Sequence, residues 1–386
     1  MSWEQLKQET IDAGLCTGCG ACVAVCPRKQ VQLQIGCVDP ELVGECKEEN
    51  CDLCSEVCPG AFIPRSALEE MIFGRKRNED ENLFGQYREH FVTHAKDVKV
   101  HHAGVAGGTV TALLLYALEK RIIDGAIVAG YDEAEPWKVK AKIVKTKDDL
   151  LSCVRSKYAI CNTIRALRDA VDQGLEKIAI VALPCHTYAL RKMQLHKLKR
   201  LADKVELIIG LYCLSQTYMD GTEYIIRERL GIPLNQVDQI SYRGRLGDPF
   251  GGGFWVKTKK GEEKALELIA HWGMVPTIFI GFQVERCLVC LDHTCELADL
   301  SAGDVWGREE ELKKINEYGW TGVFVRTEKG ERIFRGAIEA GYIVSMPGGP
   351  IQSYYPVNPG HPKKKFAVPA RIEYRKKYGW PVPKIT

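Results

Sequence analysis

The sequence has no apolar run of eighteen residues, so no segment has the length and character of a membrane-spanning helix. It has little net charge. Its 53 basic and 50 acidic residues leave a formal +3, too small an excess for a nucleic-acid-binding surface. The opening, MSWEQLKQET, carries acidic residues and lacks an apolar stretch, so a secretion signal is not expected. A cytoplasmic location is expected, with any membrane contact made through a partner. Internal repeats are missing too, apart from one doubled cysteine motif. A content of 45% hydrophobic and 27% charged residues is enough for a sizeable core. The length of 386 residues suits two or three domains.

Cysteine is abundant. Of sixteen, nine fall between Cys16 and Cys58. Dense cysteines in a long chain without a secretion signal read as metal ligands kept reduced. Cys16, Cys19, Cys22 and Cys26, followed by Pro27, form C-x2-C-x2-C-x3-C-P, the bacterial ferredoxin run. Three closely spaced thiolates wrap one cluster, and the fourth ligates the other. The small residues of TGCGAC let backbone N–H groups approach the cluster sulfurs. The second half, Cys46, Cys51, Cys54 and Cys58 before Pro59, has two extra residues in its first gap. Cluster one is therefore assigned to Cys16, Cys19, Cys22 and Cys58, and cluster two to Cys26, Cys46, Cys51 and Cys54. Cys37 competes for the place of Cys46. Structural zinc sites also use C-x2-C, but rarely the full run twice.

Three regions follow from patterning. Residues 1–75 read as an α+β ferredoxin-like domain holding two 4Fe–4S clusters. GRKRNEDEN, at 74–82, reads as a linker. Residues 85–350 alternate helix-like and strand-like segments, which argues an α/β sheet domain. Strands are expected at 126–130, 177–183 and 205–212, and helices at 109–121 and 162–174. Residues 351–386 read as an extended tail against a surface or a partner subunit.

Within the larger domain, HAGVAGGTVTALL (102–114) is a glycine-rich loop opening a helix, where Gly107 and Gly108 could admit a phosphate. A tight turn explains it equally well. Cys185 and Cys213 each end a predicted strand, and Cys287 and Cys290 form a C-x2-C pair. Strand ends of an α/β sheet gather at one edge, where ligands bind. A third 4Fe–4S cluster on Cys185, Cys213, Cys287 and Cys290 is the resulting hypothesis. Cys153, Cys161 and Cys295 lack partners at ligand spacing and read as buried thiols. Arg243 and Arg245 flank a glycine-rich loop and could bind an anion, or simply face solvent. His186 could tune a cluster through a hydrogen bond, or sit satisfied in the core. Asp299 and Asp304 could hold sugar hydroxyls or cap turns.

The segments GGTVTALL, RSKYA (155–159), LPCHTYALRK, GLYC and CLVCLDHTCELADLSAGDVWG, in this order, resemble the family of F420-reducing hydrogenase β-subunits. The ferredoxin-first arrangement is similar to the electron-input subunit of F420H2 dehydrogenase and to the flavin half of F420-dependent sulfite reductase. The resemblance covers roughly residues 10–345. It implies a flavin-binding α/β domain with FAD, one 4Fe–4S cluster and coenzyme F420 as substrate. Carried over, Gly107, Gly108 and Thr109 meet FAD, and Ser156, Lys157 and Tyr158 lie near flavin or coenzyme. The sequence departs from the family at His186, in an insertion at 308–319 and in its C-terminal tail. The implied activity is oxidation of F420H2, with hydride passing to FAD. Single electrons would then leave through three clusters to a redox partner subunit or complex. The reverse flow, as in hydroxymethyl chlorophyll reductase, and a purely electron-carrying subunit are the alternatives.

Overall fold

The computed structural model describes residues 2–46, 51–244, 253–267, 273–305, 308–315, 318–351, 360 and 363–386. Its centre is an eight-stranded sheet. The strands are β1 (Glu89–Ala95), β2 (Gly125–Tyr131), β3 (Val139–Val144), β4 (Ile178–Ala182), β5 (Val205–Leu211), β6 (Leu300–Asp304), β7 (Thr321–Val325) and β8 (Ile343–Pro347). They lie in the order β8-β1-β7-β6-β5-β4-β2-β3. β2, β4, β5 and β6 pair in parallel. The outer strands pair antiparallel. β1 is antiparallel to β7, and β7 to β6, so β1 points with the parallel four. The carboxyl ends of these five strands therefore share one edge.

The strands form where short β-branched runs can be buried on both faces. Ile127, Ile178, Ile180 and Ile208 face one apolar core, and Ala126, Val128, Ala179, Leu207 and Ile209 face the other, with the alternation a strand dictates. Helices Arg165–Asp172 and Pro184–Leu195 cover the first face. Helices Thr109–Glu119 and Glu328–Glu339 cover the second. The expected strands and helices lie within a few residues of these elements. A separate antiparallel sheet of Val237–Ser241, Gly253–Thr258 and Glu263–Glu267 is not legible in the strand–helix alternation.

The cysteine-rich segment does not stand apart. Cys19, Ala21, Ala24, Val25 and Val57 are members of the first core of the sheet body. Two sequence expectations need correction. The stretch read as a linker is docked: Arg77 lies between Glu69 and Glu296, with its side chain only 10% exposed. Residues 363–377 of the tail are helical rather than extended. Val368 and Ile372 pack against Leu15 and Val289, and Lys384–Ile385 pairs in parallel with Phe62–Ile63. Among the described residues no helix is long and apolar enough to cross a membrane.

Candidate functional site

Cys16, Cys19 and Cys22 sit on the loop before and within the short helix Ala21–Val25, and Cys58 comes to meet them. Burial first, then Cys58 and Cys19, push the Cys16 thiol well up. Burial and Cys58 push Cys19 up to about 11. Cys22 is raised by burial and by Cys19, Cys16, Cys58 and Cys54. Gly18 N–H points at Cys16 Sγ from 3.5 Å. Thiols crowded in this way resist ionisation unless a metal takes up their charge. Burial, then Cys51, brings Cys54 up to about 11, with Cys58 and Cys46 also contributing. Cys26 shares an apolar patch with Cys54 and Cys58. Both rivals are exposed; Cys46 contributes to raising Cys54, whereas the charged surroundings of Cys37 are Asp220, Asp39, Glu41 and Lys138.

The third set converges at the carboxyl edge of the sheet. Cys185 follows β4 in the first turn of its helix, where Pro184 takes the position that needs no N–H partner. Cys213 follows β5, and its N–H donates to His293 O at 2.8 Å. Cys287 and Cys290 come from the tight turn Glu285–Val289 and its cap. All four line one cavity with Gln216 and Lys364. Gln216 N–H donates to Cys287 Sγ at 3.3 Å, and Gln216 Nε2 to Cys185 Sγ at 3.5 Å and Thr17 O at 3.3 Å. Burial raises Cys185 well up, and the next contribution comes from Cys19 of the first set, ahead of Cys213, Cys287 and Cys290. The first and third sets therefore adjoin, with Gln216 between them. Among the described residues no group of three or more His, Cys, Asp or Glu side chains is set to hold a single metal ion. The cysteines share a chamber rather than one ion's coordination sphere.

Side chains of the sheet body hold the cysteine loops. Asn162, 5% exposed, donates Nδ2 to Gly18 O at 2.6 Å and Cys37 O at 2.9 Å, and accepts from Gly36 N–H at 3.0 Å. Arg168 donates to Ala24 O and Cys26 O. Lys192 Nζ donates to Cys58 O at 2.7 Å and Phe62 O at 2.6 Å. Sequence reasoning missed all three, along with Gln216 and Lys364. Polar residues in helix-like segments carry no local sign that they point inward.

Of the residues expected around a flavin, Gly107, Gly108 and Thr109 lie at the same sheet edge. Gly107 (φ +83°) and Gly108 (φ +68°) are packed by the chain itself. A Cβ on Gly107 would stand 3.0 Å from Thr93 O, and one on Gly108 only 2.5 Å from Val100 O. Thr109 is buried, its hydroxyl 2.9 Å from that of Thr93. Thr321, beside Gly107, is the register partner of Asp304 at the end of β6. Asp304 pairs with Arg243 Nη1 at 3.0 Å. Tyr158 has Arg243 and Asp304 as its charged neighbours, and Arg155 donates to Arg243 O at 2.9 Å. Arg243 Nε is buried with no partner among the described residues, so a ligand acceptor fits there. Lys157 turns inward. Its Nζ donates to Cys153 O, Val154 O and Arg155 O at 2.6, 2.8 and 3.1 Å, and burial brings it down to about 8. Arg245 lies outside the described residues. Asp299 is structural: it accepts from Arg191, Thr327 and Ile208 N–H at the opposite edge. Burial holds His186 down at about 4, and its Nδ1 accepts from Leu183 N–H at 3.3 Å, closing the helix start. Cys161 and Cys295 are buried, whereas Cys153 is half-buried.

Three family models match the chain. Residues 9–31 match the 4Fe–4S binding domain. Residues 90–168 match the N-terminal part, and 175–348 the C-terminal part, of the coenzyme F420 hydrogenase/dehydrogenase beta subunit. The coenzyme F420 hydrogenase subunit beta of Methanothermobacter thermautotrophicus is 31% identical over 311 residues, covering 78% of this chain and 99% of that protein. The chain belongs to the family of coenzyme F420 hydrogenase/dehydrogenase beta subunits. Another relative, a subunit of the F420H2 dehydrogenase of Methanosarcina mazei, is 29% identical over 84% of this chain and 83% of its own length. The coenzyme F420-dependent sulfite reductase of Methanocaldococcus jannaschii is 31% identical over 87% of this chain, which spans 48% of that protein. A chain of the F420-reducing NiFe hydrogenase complex from Methanosarcina barkeri has the same fold. Its TM-score is 0.60 at 29% identity, over 78% of this chain and 97% of that one. The family models end at residue 348, so the tail with Lys364 lies beyond them.

Proposed function

We propose that this beta-subunit relative is an oxidoreductase subunit that takes electrons from reduced coenzyme F420 and delivers them one at a time to a partner subunit. In this reading Cys16, Cys19, Cys22 and Cys58 hold one 4Fe–4S cluster, Cys26, Cys46, Cys51 and Cys54 a second, and Cys185, Cys213, Cys287 and Cys290 a third. Bound FAD would supply the conversion between a hydride and single electrons. The observation that carries the reading is the chamber shared by the last four cysteines, beside Cys19 and on the sheet edge that also carries Arg243 and Asp304.

The chain's own residues have distinct tasks. Gln216 spans the first and third sets and fixes their separation. Burial of both sets excludes water, which favours electron transfer between them over loss to solvent. Arg243, whose Nε has no partner among the described residues and which pairs with Asp304, is the cation best placed for an anionic or hydroxyl-bearing ligand. Lys157 is committed to its own backbone and is not assigned that role. Gly107 and Gly108 open a helix at this edge but are required first by the turn itself.

The test is anaerobic. The purified protein should hold about twelve irons, three clusters of four, and about one flavin per chain. With F420H2 and an artificial one-electron acceptor it should oxidise the coenzyme in step with acceptor reduction. Full iron without flavin would make it an electron carrier only. Full iron and flavin with no F420H2 oxidation would remove the coenzyme from the reading.

A further inference from the structure

Lys364 comes from the C-terminal tail and is 0% exposed. It lines the chamber of Cys185, Cys213, Cys287 and Cys290. Its Nζ donates to Cys287 O at 3.4 Å, with the Cys290, Cys287 and Cys213 thiols as its electrostatic neighbours. Its neighbours are engaged elsewhere: Lys365 pairs with Glu296, and Lys363 reaches Gln283 Oε1 at 3.4 Å. Among the described residues no carboxylate pairs with Lys364, and none lines the chamber. Arg65 and Arg286 are the other cations there. A buried ammonium is costly unless it faces negative charge, and the four cysteines are the negative charge within reach.

We propose that the tail closes this chamber and, through Lys364, holds a positive charge against the third cluster, making that cluster easier to reduce. The inference rests on the reading that these cysteines hold a 4Fe–4S cluster. A cluster on four thiolates is negative, and one added electron makes it more so with no proton moved. A cation held close in a water-poor cavity stabilises the reduced form more than the oxidised one. Lys364 would thereby help the third cluster take each electron that the reaction proposed above supplies. The tail does not depend on Lys364 for its docking. Val368 and Ile372 pack on Leu15 and Val289, Arg371 donates to Leu288 O at 2.9 Å, and Lys384–Ile385 pairs with Phe62–Ile63.

The experiment compares anaerobically purified parent protein with Lys364→Met, Lys364→Arg and, as an exposed control on the same tail, Lys376→Met. Iron is counted, and each cluster is titrated by EPR at controlled potential, with Cys287→Ala identifying the signal of the third cluster. Lys364→Met is expected to keep its iron and to lower the ratio of reduced to oxidised third cluster about tenfold at a fixed potential, or 59 mV for one electron. Lys364→Arg should restore most of the shift. Lys376→Met should leave it unchanged, and the other two clusters should not move. An unshifted third cluster in iron-replete Lys364→Met would overturn the proposal. So would loss of the third cluster's iron in both Lys364 variants with unfolding otherwise normal, which would make the residue a plug alone. A parent protein without any Cys287-dependent signal would instead overturn the cluster reading on which the proposal stands.

Discussion

Lys157 donates to three carbonyls of its own segment, and burial brings its ammonium down to about 8. The unfolded chain, with an ordinary lysine, binds more protons between about pH 8 and pH 10.5. The burial penalty is full below that window and fades as pH rises through it. The stability of the parent relative to Lys157→Met should therefore increase from about pH 7 to about pH 9.5, read as denaturant midpoints of both proteins. The same substitution should leave the KM for F420H2 little changed. Arg243→Ala should raise that KM about tenfold, the scale of one charge-assisted hydrogen bond. Equal KM values for parent and Arg243→Ala would exclude this arginine from the coenzyme site. At this scale the first cysteine run is readable because its spacing is local, and residues 9–31 match the 4Fe–4S binding domain. The inward turn of Lys157 was not, because the direction of a side chain is decided by residues distant in sequence.

At the scale of elements, the cysteine loops are held by bonds from the helices of the sheet body and the loop that leads into one of them. Asn162 fixes the loops at Gly18, Gly36 and Cys37 together. Asn162→Ala leaves buried backbone groups unsatisfied and should cost about 1–3 kcal/mol, seen as a lower urea midpoint at unchanged slope. Iron should also leave faster to a chelator; an unchanged midpoint and chelation rate would mean the loops hold themselves. Gly108→Val should destabilise the whole helix Thr109–Glu119, because Val100 O occupies the space its side chain needs. Any flavin loss in that variant must accordingly be compared with its stability. The parallel strands were legible as apolar runs bounded by turns, and both cores follow from their alternation. The three-stranded sheet was not legible: Val237–Ser241 and Gly253–Thr258, which pair, stand apart in sequence across a long glycine-rich segment rather than a two-residue hairpin turn. The helical tail was also missed, since its prolines and aromatics suggest an extended segment.

At the scale of the whole molecule, Glu296 ties three regions together. It receives Arg77 from the stretch read as a linker and Lys365 from the tail. Burial alone would raise its carboxyl; Lys365, Arg77 and Arg65 overcome that and hold it far below the usual range. Its folded value is depressed, so its stabilising contribution is present above the ordinary glutamate range and is lost as pH falls through the folded value. Arg77→Met leaves Glu69 short of a partner and Glu296 with one fewer cation, and should cost about 3–5 kcal/mol. Calorimetry should show a lower transition temperature, and an unaltered transition would mean the contact is idle. The charge pattern of 74–82 pointed to solvent because a sequence does not reveal which acids lie opposite its basic residues.

The pairing of Lys384–Ile385 with Phe62–Ile63 has a consequence for biosynthesis. On the ribosome the partner strand of Phe62–Ile63 is translated only after the entire sheet body. Until then the side of the cysteine chamber covered by Ile385 and Lys364 is open. If the chamber takes the proposed third cluster, iron delivery has that interval, and a chain that has already closed should accept iron there more slowly than one still emerging.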